Sequence, residues 1–203
     1  MGRIGENIRG RLAQTALIVT TVAASWYGMT ALHESGHLWH GWLSGAKVKA
    51  IHLPVIGFSA RTDFATNPHP LFVAWGGVIW GSLFALALLW LTKLRRIRCW
   101  YLAAWFAGFC LIANGAYLIG GTFSTGGGDD GGTILRYGGT RWQLLAFGLT
   151  ATSFGLYLWN GLGPSFGLGA SEGRVDRTAV GIVMATLFLL LIAMVCLSRG
   201  IWG

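Results

Sequence analysis

Little in this chain is charged: 15 Lys and Arg and seven Asp and Glu among 203 residues, 11% in all. A soluble domain carries about 25%, so no water-facing shell can be assembled from this inventory. Cysteine is scarce too. Cys99, Cys110 and Cys196 are odd in number, widely spaced and set in apolar runs. Without a C-x-x-C pair, they suggest neither a disulfide framework nor a thiolate zinc site. Also missing is a basic groove interleaved with aromatics. The net charge of +8 comes largely from clusters such as "MGRIGENIRGR" and "KLRRIR", which flank apolar spans. Such flanks orient helices and meet anionic headgroups. The expected partner is a lipid bilayer, and nucleic acid is not expected.

What the chain has in quantity is apolar surface, 54% of its residues, with a mean hydropathy of +0.57. Five segments, at about 13–43, 71–92, 99–121, 142–162 and 178–198, are long enough to cross roughly 30 Å of hydrocarbon. The expected fold is an all-α polytopic membrane protein, one membrane domain over 1–203 with no internal repeat. The first apolar run is too long for a signal-peptide core and is read as a retained span. The last, "TAVGIVMATLFLLLIAMVCLS", is uniformly apolar and reads as a plain lipid-facing helix. The third and fourth carry Gly and Ala, which permit close helix packing.

Two connectors stand apart. "KVKAIHLPVIGFSART" (47–62) has β-branched residues with Pro54 and Gly57 and breaks helical periodicity, so a short membrane-associated β-hairpin is expected there. "GGTFSTGGGDDGGTIL" (120–135) is glycine-rich and carries Asp129 and Asp130 just after the third span. With the N-terminus in the cytoplasm of a cell membrane, nine basic residues fall inside and six outside, the favoured sense. In either orientation the C-terminal ends of spans one and three emerge on one face, which brings the aspartates towards the tail of span one.

That tail carries His33-Glu34-Ser35-Gly36-His37, an H-E-x-x-H pattern. Four residues advance 400° on a helix, so both imidazoles project from one face with a rise of about 6 Å. They can share one zinc ion while Glu34 lies beside it as general base. Ionisable groups inside an apolar span are costly and need a function. A catalytic zinc site needs a third protein ligand and an open position for water. His40 lies about 10 Å along the axis from His33 and is expected in a supporting or interfacial place. His52 and His69, in the connector, are expected to face water or headgroups. The stronger third ligand is an aspartate of "GGGDDGGTIL", where flanking glycines let the backbone approach and a carboxylate balances the metal charge.

The H-E-x-x-H on a first span, the strand-like stretch, the glycine-rich "AWGGVIWGS" and the later "DGGTIL" together resemble the site-2 protease family of intramembrane zinc metalloproteases. The likeness is to compact members without a PDZ domain. It covers about 13–136, with two additional helices in 142–203. The resemblance implies zinc on His33, His37 and Asp130, Glu34 as catalytic base, and a membrane-protein substrate cleaved in or near a transmembrane segment. Asp129 then becomes a neighbour suited to capping a helix. In the family an Asn-Pro-containing run precedes the D-G pair; here "TFSTGGGD" has no proline, and Asn114 is placed to bond across helices instead. Two other readings are a non-proteolytic membrane adaptor of the same fold, which has no need of an ionised Glu34, and a non-haem iron oxygenase. Di-iron membrane enzymes of the latter kind need about eight histidines; this chain has five.

Overall fold

The computed structural model describes residues 2–54, 60–124, 128–171 and 173–200. The chain is mainly helical, in the order α1 (Gly2–Leu43), β1 (Lys47–His52), β2 (Arg61–Thr66), α2 (Pro70–Leu94), α3 (Trp100–Gly121), α4 (Asp130–Arg136), α5 (Arg141–Trp159) and α6 (Arg177–Gly200). The 42 residues of α1 extend about 63 Å, longer than a bilayer core is thick. Helix α2 begins on Pro70, whose missing N–H costs nothing in a first turn. Asp129 caps α4 by accepting from the Gly132 amide, the capping role expected of it. Thr140 and Gln143 form a reciprocal capping box at the start of α5.

Four helices, α1, α2, α3 and α6, are long and apolar enough to cross a membrane. Five crossings were expected, and the helix at the fourth position, α5, is not among these four. It nevertheless runs antiparallel along α3. A Cβ on Gly115 would meet the Gly148 carbonyl oxygen at 2.7 Å, and one on Gly155 would meet the Gly108 oxygen at 2.7 Å. Helix α5 thus returns the chain to the end where α3 began, and there Arg98 pairs with Asp176 at 3.1 Å. From that end α6 runs parallel to α1, with Gly173 beside Gly10 and Leu190 near Gly28. Its Met184, Phe188, Leu189 and Ile192 are exposed, as a helix facing lipid tails requires.

The expected hairpin is present as an antiparallel pair, Ile51 opposite Thr62 and His52 opposite Arg61, with its second strand continuing to Thr66. Its tip, including Gly57, lies outside the described residues. Two apolar clusters hold the helices. The larger joins α1, α2, α3 and α6 around Leu17, Ala85, Ala107 and Val183. The smaller sets Val78, Leu118, Ile134 and Leu144 together and fixes α4 against α2, α3 and α5. Ile134 is fully buried one helical turn after Asp130. Residues four apart share a helix face, so burying Ile134 turns Asp130 inward as well.

Candidate metal centre

His33 and His37 stand one turn apart on α1, with ring centroids 4.8 Å apart. Both reach the same carboxylate oxygen from α4. His33 Nε2 lies 2.9 Å and His37 Nε2 3.3 Å from Asp130 Oδ2. The ligand atoms these three residues offer all fall within 4.8 Å of one another. Separations of this order suit donor atoms that share one small cation. The three residues anticipated as ligands are therefore brought together.

The other ring nitrogens decide what this cluster needs. His33 Nδ1 lies 2.9 Å from Asn114 Oδ1. His37 Nδ1 lies 2.8 Å from the Val73 carbonyl oxygen. Each imidazole thus has an oxygen acceptor at both nitrogens, whereas a neutral ring carries one N–H. If Nδ1–H donates to Asn114 or Val73, Nε2 presents a lone pair to a carboxylate, which is repulsive. The arrangement calls for extra protons or for a cation among the Nε2 and carboxylate atoms. Glu34 is also buried, 5% exposed, so two carboxylates share this interior. One divalent cation with two neutral imidazoles balances both charges, and hydrogen bonds to Nδ1 are the usual way to orient metal-bound histidines. Without a cation, protons on the imidazoles take its place: burial pushes the Asp130 carboxyl up, but protonated His37 and His33 outweigh it and hold the group below the usual carboxylate range.

Small residues make this approach possible. Gly36 of α1 and Gly76 of α2 meet backbone to backbone: a Cβ on Gly76 would lie 2.5 Å from the Gly36 carbonyl oxygen. One residue on, a Cβ on Gly77 would lie 2.5 Å from His37 Nε2 and 2.6 Å from His33 Nε2. The side-chain space of Gly77 is the space beside the two coordinating nitrogens. The donor set and this free volume fit a metal ion, which would be held by His33, His37 and Asp130.

Around these three, a cavity of about 680 Å³ is lined by Glu34, Thr62, Tyr117 and the ligands themselves, among others. Glu34 Oε2 accepts a hydrogen bond from the Thr62 hydroxyl at 2.8 Å. The Tyr117 hydroxyl accepts from the Asp130 backbone N–H at 3.0 Å, and its ring meets His33 edge-on. His40 does not join the cluster. It is interfacial, stacked on Phe72 with its Nδ1 2.6 Å from the Phe72 carbonyl oxygen. His52 is bound to Asp63 on the exposed side of the hairpin, and His69 is exposed before α2.

Sequence reasoning missed Thr62, Tyr117, the Val73 carbonyl and the specific part played by Gly77. It gave Asn114 a cross-helix bond without its partner. "AWGGVIWGS" announced close packing, but no local signal marked Thr62 or Tyr117. No protein-family model matches this chain. No match is found either among curated proteins or among solved structures.

Proposed function

We propose that this protein is an intramembrane zinc metalloprotease, hydrolysing peptide bonds in or near transmembrane segments of other membrane proteins. What supports the reading is one juxtaposition: two imidazoles aimed at one carboxylate, with a buried glutamate from the same helix turn lining the same cavity. His33, His37 and Asp130 would hold the ion. Zinc in a three-ligand site polarises a carbonyl and makes water acidic near neutral pH.

The remaining work falls to the protein. Glu34 takes a proton from the attacking water and delivers it to the departing amine. Asn114 and the Val73 carbonyl keep the two imidazoles in the tautomer whose Nε2 is free. A substrate helix has to unwind first, because its carbonyls are engaged in hydrogen bonds, and the β1–β2 hairpin offers strand edges to receive the unwound segment. Charge distribution supports a cytoplasmic N-terminus in a cell membrane, with the metal centre towards the opposite side. Labelling of single cysteines introduced at Gly45 and Arg95 tests that sidedness.

The decisive experiment compares purified protein and its Glu34→Gln variant, reconstituted with a panel of single-span membrane proteins. Metal content should stay the same while cleavage disappears. Iron as the bound metal, or cleavage that survives both chelation and Glu34→Gln, refutes the reading. Absence of cleavage by wild-type protein across the panel supports the adaptor reading instead.

A further inference from the structure

Residues 60–64, most of them in β2, line the cavity, and one face of the strand reaches Glu34. Thr62 and Phe64 are two residues apart and therefore share that face. The Phe64 ring lies against Gly41 of α1, where a Cβ would come within 2.5 Å of it. Thr62, one step along, donates its hydroxyl to Glu34 Oε2 at 2.8 Å. On the opposite face, Asp63 binds Arg61 and His52, both exposed. Strand alternation thus pairs the charged residues with each other on one face and puts a single hydroxyl on the buried glutamate from the other.

We infer that Thr62 is the positioning residue for Glu34, so that seating of the hairpin on α1 sets the aim of the carboxylate in the cavity. This rests on the protease reading above. A glutamate side chain has three rotatable bonds, and orientation is part of what an enzyme supplies. With Oε2 engaged by Thr62, one carboxylate oxygen is anchored and the rotation of the side chain is restrained. The hydrogen-bond partner of the Thr62 hydroxyl is Glu34, not an atom of His33, His37 or Asp130. Thr62 acts through Glu34, and through Glu34 the hairpin is coupled to the chemistry.

Thr62→Val keeps the β-branched shape and removes the donor; Thr62→Ser keeps the donor and sheds a methyl group. Both are assayed beside wild type and Glu34→Gln in the same vesicles, with bound metal measured in every sample. Thr62→Val should lower kcat roughly tenfold to a hundredfold, as misplacement of a reacting group does. KM and metal content should be little changed, and Thr62→Ser should recover most of the rate. A wild-type kcat in Thr62→Val, or Thr62→Ser as impaired as Thr62→Val, overturns the assignment while an inactive Glu34→Gln leaves the protease reading intact. Equal turnover by wild type and Glu34→Gln removes the protease reading itself, and the inference with it.

Discussion

Replacing Gly77 with alanine adds one carbon beside the two imidazole nitrogens that would hold an ion. The new Cβ would lie 2.5 Å from His37 Nε2 and 2.6 Å from His33 Nε2. Ordinary van der Waals separation is about 3.5 Å, so each nitrogen has to retreat by about 1 Å. Metal–ligand distances tolerate only about 0.2 Å, and neither ring can yield freely. His33 is tied to Asn114 and His37 to Val73. Two ligands displaced beyond tolerance should weaken zinc binding by roughly a hundredfold or more, equivalent to about 2.7 kcal/mol. Alanine is the better helix former by up to about 1 kcal/mol, so intrinsic propensity works against helix loss as the cause. Zinc affinity is measured by competition against a chromophoric chelator, with thermal melting of the metal-free protein as the control for folding. Wild-type zinc affinity in a folded Gly77→Ala protein would refute the placement of the ion beside Gly77.

Three further outcomes follow from the same geometry. Asn114→Leu removes the acceptor of His33 Nδ1 and should cost roughly tenfold to a hundredfold in zinc affinity; an unchanged affinity by chelator competition would show that His33 does not need it. Ile134→Ala empties a fully buried site beneath α4 and should destabilise the protein by about 2–5 kcal/mol. Zinc affinity should fall with it, and calorimetric melting alongside metal titration checks whether the two losses occur together. Gly115→Leu drives a side chain into Thr152 and the Gly148 carbonyl and should separate α3 from α5; a doubly spin-labelled α3–α5 pair should report a wider distance.

The sequence displayed its helices because lipid demands long apolar runs, and it displayed His33 and His37 because helical period alone places them on one face. The approach of Asp130 was legible only as topology: spans one and three end on the same side. Its final placement depends on packing by Ile134 and on the Asp129 cap, which no spacing rule supplies. Thr62 was illegible for another reason. It belongs to a strand whose docking on α1 rests on the fit of Phe64 over Gly41, a contact 23 residues apart in the sequence. Helix α5 was easier to find than to classify, since its Thr150, Thr152 and Ser153 dilute its hydropathy while its glycines face α3.

The seam between α3 and α5 bears on how the molecule can breathe. Two helices in backbone contact at both ends of the 108–115 and 148–155 segments cannot hinge there without opening a gap that lipid tails would have to fill, so they behave as a stiff plank. Helix α3 carries Asn114 and Tyr117 on that plank, and α4 is pinned to its end. Under the proposed protease reading, widening the cavity for a polypeptide would fall to the hairpin or to the α1–α2 side, while Asp130, on the helix pinned to that plank, would keep its place.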